Sequence, residues 1–215
     1  MSYKNLLFDL DGTLTDPGEG ITNSVAYALR KFDIVVTDKT ELFSFIGPPL
    51  ITSFMEQFGF SKEKAELAVQ YYREYFRDRG LFENEPYEGI HDTLARLKAQ
   101  GYRLFIATSK PEEFARRITD HFGLTPYFEY VAGASFDEHR SEKWDVIRYA
   151  LDTCHLAPKE CVMIGDRFHD VVGAQKTGMD SIGVLWGYGS QEELSSAGAT
   201  HLATAQSDLL TLLTQ

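Results

Sequence analysis

The stretch "LLFDLDGTLT", residues 6–15, decides the fold of this chain. An apolar run suited to a buried strand ends at Asp9 and Asp11, and Gly12, which permits a sharp turn, follows at once. Residues two apart on an extended chain point the same way, so both carboxylates would face one edge of a sheet. Two carboxylates in one pocket repel each other, and Mg2+ would relieve that repulsion. A simple polar turn is the alternative interpretation of the same residues.

Short apolar runs alternate with longer amphipathic runs after residue 85, which is typical of strands joined by helical crossovers. Periodic apolar residues at 90–97 and 207–213 indicate helices. We therefore expect an α/β protein with a Rossmann-like parallel sheet core flanked by helices. Its five expected strands are 5–10, 103–108, 128–134, 161–166 and 181–186.

The segment from 16 to 85 has a different pattern, with apolar stripes at helical spacing and no convincing strand. The stretches 15–20 and 79–89 at its ends carry the Pro, Gly and charged residues of connecting segments. We expect residues 16–85 to form an all-helical cap domain. The α/β core domain would then consist of residues 1–15 and 86–215.

Composition excludes several classes of partner and environment. The net charge of −11 repels nucleic-acid polymers and anionic membranes, so neither is expected as a partner. Only two cysteines are present, too few for a disulfide framework of the secreted type. There is no signal-peptide pattern at the N-terminus and no apolar run near the ~18 residues that span a bilayer. We expect a cytoplasmic protein.

Polar side chains also follow two of the other expected strands. Thr108 and Ser109 end one apolar run, Asp166 ends another, and Asp170 comes four residues later. The carboxyl ends of parallel strands meet at one edge of the sheet, where ligands bind. Hydroxyls and free amides there suit a phosphoryl group, although Ser, Thr and Asp are also ordinary helix-start residues. The combination favours a phosphate and metal site over capping alone.

Together these motifs carry a family resemblance that extends over essentially the whole chain. The set "FDLDGT", "FIATS", a downstream lysine and "IGDRFHD" resembles the haloacid dehalogenase (HAD) superfamily of phosphotransferases. Within it, the chain looks like the branch of phosphoglycolate phosphatases and bacterial 5'-nucleotidases, which have a helical cap. This resemblance implies a phosphatase that uses Mg2+ and acts on a small phosphorylated metabolite.

The resemblance also implies roles for individual residues. Asp9 would be the nucleophile that forms an aspartyl-phosphate, and Asp11 the general acid and base. Asp9, the backbone carbonyl of Asp11, and Asp166 would hold Mg2+, with support from Asp170. Thr108 and the backbone amide of Ser109 would bind the transferring phosphoryl oxygens.

A cation must offset the negative charge that accumulates between the nucleophile, the phosphate and the acids. Lys143 is the first candidate for this catalytic and phosphate-binding role, and Lys110 and Arg140 are its rivals. Trp144 follows Lys143 where many relatives have proline.

The cap has a candidate specificity loop at Gly47 and Pro48, because such families place a substrate-contacting loop there. A turn between two helices is the alternative. The expected substrate is phosphoglycolate, a nucleoside 5'-monophosphate or a similar ester, and the chain would act as a monomer or homodimer. A sugar-phosphate mutase of the beta-phosphoglucomutase type shares both aspartates, Asp9 and Asp11, and is the alternative enzyme.

Overall fold

The structure is a computed structural model that describes residues 3–136 and 139–213. Its main helices and strands are, in chain order, β1 (Asn5–Phe8), β2 (Thr15–Asp16), α1 (Gly18–Arg30), α2 (Leu50–Phe58), α3 (Lys62–Tyr75), β3 (Glu85–Pro86), α4 (Ile90–Ala99), β4 (Arg103–Pro111), α5 (Glu112–His121), β5 (Tyr130–Ala134), α6 (Lys143–Thr153), β6 (Cys161–Gly165), α7 (Phe168–Thr177), β7 (Asp180–Val184), α8 (Gln191–Ser196), β8 (His201–Ala203) and α9 (Gln206–Leu212). The chain divides into two compact units, Met1–Thr15 with Pro86–Gln215, and Asp16–Glu85.

The larger unit contains a six-stranded sheet in the order β5-β4-β1-β6-β7-β8. All neighbouring strands in it are parallel. The central strands β1 and β6 are buried along their whole length, as expected where helices cover both faces of a parallel sheet. The α/β fold class expected from the sequence is confirmed.

One face of this sheet forms an apolar core with α6 and α7. Leu7, Phe105 and Met163, from three adjacent strands, pack there with Val146 of α6 and Ala174 of α7. These residues come from the apolar runs and helical stripes of the sequence, so burial of those patterns fixes the relative positions of the strands and helices.

The strand order reverses its direction between β1 and β6. The chain proceeds from β1 to β4 and β5 on one side, then returns through α6 to β6 and continues to β7 and β8 on the other. Such a reversal opens a crevice at the carboxyl ends of the strands. Phe8 of β1 is in register with Ile164 of β6, so the residues that follow these two strands enter the same crevice.

The sheet differs from the expectation in its number of strands and in several strand bounds. The strand expected at 128–134 begins at Tyr130, and the strand expected at 181–186 ends at Val184. A sixth strand, β8, is present, and its three residues are too few to give a periodic signal in the sequence. The strand expected at 5–10 ends at Phe8, because the chain turns at the acidic residues. The strand expected at 103–108 continues to Pro111, with an irregular register after Thr108.

The smaller unit is built from α1, α2 and α3, with α1 packed against α3. The expected apolar stripes are the buried faces of these helices, for example Val25 and Leu29 of α1 and Ala65 and Ala68 of α3. The short strands β2 and β3, where the chain passes between the two units, form a two-stranded sheet. Within residues 3–136 and 139–213, no helix is long and apolar enough to span a bilayer.

The core of the helical unit offers a matched test. Leu29 is completely buried in α1, whereas Leu67 of α3 is 38% exposed. We expect Leu29→Ala to lower the free energy of unfolding by about 2–5 kcal/mol, because it leaves a cavity. Leu67→Ala makes the same chemical deletion and should cost about 1 kcal/mol or less. Urea denaturation followed by circular dichroism measures both, and equal losses would contradict the packing described.

Candidate active site

Three carboxylates meet at the reversal point of the sheet. Asp9 follows β1, Asp166 follows β6, and Asp170 lies in the first turn of α7. One carboxylate oxygen from each lies within 4.8 Å of the others, and all three residues are buried. The distant acids of the sequence are thus adjacent in space.

The environment of this cluster disfavours three negative charges. Burial, followed by the charges of Asp170 and Asp9, raises the pKa of Asp166 to about 8. Burial also raises the pKa of Asp170 to about 6, although the nearby Lys143 ammonium opposes this shift. In the protein without a bound cation, the cluster therefore retains protons at a pH where isolated carboxylates have lost them.

Lys143, the first residue of α6, is the lysine that enters this cluster. Its Nζ lies 2.9 Å from Asp9 Oδ1 and 2.8 Å from Asp170 Oδ1, and donates to the Ala107 carbonyl at 3.2 Å. Burial acts to lower the pKa of Lys143, but the charges of Asp170 and Asp9 outweigh it and raise that pKa above its ordinary value. The ammonium is therefore charged and links β1, β4 and α7.

The two rival cations lie elsewhere. Lys110 Nζ is 2.7 Å from Asp11 Oδ2, which forms a second ion pair separate from the cluster of three acids. Arg140 donates to the Gly133 carbonyl and pairs with Glu112. The structure therefore places Lys143 with Asp9, Lys110 with Asp11, and Arg140 with neither.

Asp11 has an unusual buried environment. Its Oδ2 contacts Lys110, while its Oδ1 is buried and has no hydrogen-bond partner within the described part of the chain. Burial raises the pKa of the Asp11 carboxyl despite the neighbouring Lys110 ammonium. Its carboxylate is not part of the acid cluster, so the sequence-based metal role for Asp11, through the backbone carbonyl, stays a prediction.

Thr108 and Ser109 lie where β4 loses its regular pairing with β5. The register shifts between Thr108 and Pro111, as in a β-bulge, which redirects side chains at the end of a strand. Thr108 is almost completely buried, and its Oγ1 accepts a hydrogen bond from the Lys110 amide at 3.2 Å. Ser109 is half-buried. Their phosphate-binding roles stay predictions.

The position of Asp166 depends on Tyr188 and Thr13, which no sequence signal singled out, and on Gly12, which the sequence placed at the turn after the first acids. The Tyr188 amide donates to Asp166 Oδ2 at 2.8 Å, and Thr13 Oγ1 donates to Oδ1 at 3.4 Å. Gly12 has a φ of +80°, and a Cβ built there would lie 2.3 Å from Asp166 Oδ2. Any side chain at position 12 would therefore displace this carboxylate.

The acid cluster fits a magnesium ion. Its available donors are carboxylate oxygens, the ligands that Mg2+ prefers, and they are close enough to share one ion. Lys143 offsets the negative charge of one of the three acids, and a divalent cation would neutralise the charge of the other two.

The candidate cap loop lies in the helical unit. Gly47 is exposed with a φ of +105°, and Pro48 is half-buried, in the turn that precedes α2. This backbone conformation explains the glycine, since other residues rarely adopt it. Contact between this loop and a substrate stays a prediction.

Comparisons with known proteins identify a family. The family model described as haloacid dehalogenase-like hydrolase matches residues 6–184. A 5'-nucleotidase from Pseudomonas aeruginosa is 47% identical over 201 residues, which cover 94% of this chain and 91% of the relative. The tyrosine-protein kinase PtkA of Mycobacterium tuberculosis is 42% identical over 202 residues, 93% of this chain and 69% of that protein.

A solved structure of a predicted phosphatase is also similar to this chain. The crystal structure of a predicted phosphatase from Clostridium acetobutylicum matches with a TM-score of 0.96 and 49% identity. The match covers 100% of both chains. The fold and the order of its elements are therefore shared over the full length.

The lysine in the cluster gives a test of the site that needs no substrate. Without metal, Lys143→Met leaves the buried Asp9 and Asp170 without the ammonium that pairs with both, so the free energy of unfolding should fall by about 3–5 kcal/mol. Lys159→Met, at an exposed position, is the control and should be within about 0.5 kcal/mol of the wild type. Chemical denaturation in EDTA measures both variants. Equal stability of the two would show that the Lys143 ammonium does not balance the cluster.

Proposed function

This chain belongs to the haloacid dehalogenase-like hydrolase family, and we propose that this phosphatase hydrolyses a small phosphorylated metabolite with the help of Mg2+. The observation that carries the proposal is the buried cluster of Asp9, Asp166 and Asp170 around the Lys143 ammonium. It lies at the sheet edge where α/β proteins bind ligands.

In the first step, a carboxylate oxygen of Asp9 attacks the phosphorus atom of the ester. The bond between phosphorus and the ester oxygen breaks, and an aspartyl-phosphate forms on Asp9. Asp11 donates a proton to the departing oxygen, so the product leaves as an alcohol. Lys143, 2.9 Å from Asp9 Oδ1, offsets the negative charge that gathers between the nucleophile and the phosphoryl group.

In the second step, water attacks the phosphorus atom of the aspartyl-phosphate. Asp11, now a carboxylate, takes the proton from this water, and the bond to Asp9 breaks to release inorganic phosphate. Thr108 and the Ser109 amide bind the phosphoryl oxygens during both steps. The geometry supports the division of roles, because Asp11 pairs with Lys110 and not with the acid cluster.

Asp9 and Asp166 would hold Mg2+, with the Asp11 carbonyl as a further ligand and Asp170 in support. When bound, the ion stabilises negative charge on the transferring phosphoryl group and fixes its orientation. Phosphoryl transfer needs mainly such positioning and charge stabilisation.

The names of the relatives and the charge of the chain support a choice of substrate class. A nucleoside 5'-monophosphate is the first candidate because the 47% identical relative is named a 5'-nucleotidase. Phosphoglycolate is the second, from the sequence resemblance. The net charge of −11 supports a small ester over a nucleic-acid polymer.

A phosphate-release screen tests the function. The panel contains nucleoside 5'-monophosphates, phosphoglycolate, pyrophosphate, sugar phosphates and a phosphotyrosine peptide, each with Mg2+ and with excess EDTA. We expect release of inorganic phosphate from at least one small monoester, loss of that release in EDTA, and its return when Mg2+ is added in excess. Isomerised sugar phosphate without free phosphate would instead indicate a mutase. Activity that persists in EDTA would contradict the metal role.

Replacement of the nucleophile gives the sharpest mutational test. Asp9→Asn removes the attacking carboxylate, so kcat should fall by at least about 10³-fold while the circular dichroism spectrum is unchanged. Asp92→Asn makes the same chemical change on the exposed face of α4, where Asp92 pairs with Arg96, and should retain full activity. More than about 1% residual kcat in Asp9→Asn would refute the assignment of the nucleophile.

A further inference from the structure

The segment 185–193, which we name the strap, follows β7 and enters α8. It carries no carboxylate in the acid cluster, yet it donates a hydrogen bond to Thr13, after β1, and accepts one from Phe168, between Asp166 and Asp170. These contacts lie within the α/β unit. The assigned catalytic roles explain none of them.

The first contact joins the strap to the loop after β1. The indole Nε1 of Trp186 donates to the Thr13 carbonyl at 3.0 Å. Thr13 is completely buried, and its Oγ1 donates to Asp166 Oδ1 at 3.4 Å. Trp186 therefore holds a residue that in turn contacts the carboxylate of Asp166.

The second contact is with Asp166 itself. The backbone amide of Tyr188 donates to Asp166 Oδ2 at 2.8 Å. A Cβ built on Gly187 would lie 2.2 Å from the Gly12 carbonyl oxygen and 2.5 Å from Asp166 Cβ. The backbone of the strap can approach this closely only because position 187 is glycine. The carboxylate of Asp166 thus receives one hydrogen bond at each oxygen.

The third contact fixes the other end of the strap. Ser190 caps α8 by accepting from the Glu193 amide at 3.1 Å. Glu193 Oε1 accepts from Arg167 Nε and from the Phe168 amide, each at 2.9 Å. Because Arg167 and Phe168 lie between Asp166 and Asp170, this contact restrains the backbone that joins the two acids.

We propose that the strap orients Asp166 for the divalent cation, and that Trp186 is a positioning residue that sets metal affinity without touching metal or substrate. The inference rests on the metal site of the proposed function. A ligand held in one orientation loses little freedom when the ion binds, and loss of such an outer contact typically weakens metal affinity by about 10–100-fold.

The test is a calorimetric titration of Mg2+ into the full chain without substrate. Trp186→Phe keeps an aromatic ring but removes the indole donor, and the Kd for Mg2+ should rise about 10-fold. At saturating Mg2+, kcat should stay within about twofold of the wild type, because the bound ion restores the orientation of Asp166.

Trp144→Phe is the matched control. This tryptophan lies on α6, where its ring faces Arg148 and Lys176. The same chemical change there should leave the Kd for Mg2+ unaltered.

Variants at a second position, Glu193, test the proposal independently in case Trp186→Phe folds poorly. Glu193→Ala removes the acceptor for Arg167 and Phe168 and should also weaken Mg2+ binding. Glu193→Gln keeps an oxygen acceptor for the Phe168 amide and should recover most of the affinity. An unchanged Kd in both Trp186→Phe and Glu193→Ala would overturn the proposal. A fall in kcat at saturating Mg2+ with an unchanged Kd would overturn it as well.

The binding experiment also separates this inference from the proposed function. If the wild type releases phosphate from a monoester but the variants bind Mg2+ normally, the strap inference fails and the function stands. If the variants lose Mg2+ affinity but the wild type hydrolyses no monoester, the strap inference stands and the function fails.

Discussion

Three buried carboxylates within 4.8 Å of one another impose a charge balance on this protein. When all three are ionised, Lys143 neutralises the charge of one of them, and a single divalent cation would neutralise the charge of the other two. Burial and, after it, the charges of Asp170 and Asp9 raise the pKa of Asp166. Without a cation, this carboxyl therefore retains its proton to a higher pH than an isolated carboxyl does. The second acid of the first motif, Asp11, pairs with Lys110 instead, although burial and, to a smaller extent, the charge of Asp9 raise its pKa. The two lysines thus pair with different acids, Lys143 with Asp9 and Asp170, and Lys110 with Asp11.

The sheet topology makes this arrangement possible. Asp9 and Asp166 are far apart in the chain, but the strands that precede them, β1 and β6, are adjacent and in register. The order of the strands reverses between them, which opens a crevice at their carboxyl ends. Apolar burial along β1 and β6 therefore determines where the acids meet. The packing that stabilises the fold and the geometry of the site have the same origin.

The parts of this structure that the sequence could predict are those with a periodic or chemical signal. Continuous apolar runs identified β1, β4 and β6, and acids or hydroxyls directly after these runs identified the edge where they meet. The strand β8 was not predicted, because three residues are too few to show a periodic pattern. The contacts of the strap could not be predicted from the sequence for another reason. They use a backbone amide, a glycine and an indole donor, none of which has a characteristic spacing in the sequence. The sequence also left Lys143, Lys110 and Arg140 as rivals, and only distances could assign each to its partner.

The separation of the two ion pairs explains how aspartates two residues apart can differ in chemistry. Asp9 Oδ1 is held by the Leu10 amide at 2.7 Å and by Lys143 at 2.9 Å, which fixes the carboxylate in one orientation beside the acids of β6 and α7. Asp11 is held through Oδ2 alone, and its buried Oδ1 has no protein partner within the described residues. These environments fit the roles proposed for Asp9 and Asp11, because a nucleophile needs a fixed direction of attack and a proton-transferring group needs an oxygen that can accept and release a proton. The turn at Gly12 brings the chain close to the Asp166 carboxylate immediately after Asp11, since a Cβ built at position 12 would lie 2.3 Å from Asp166 Oδ2.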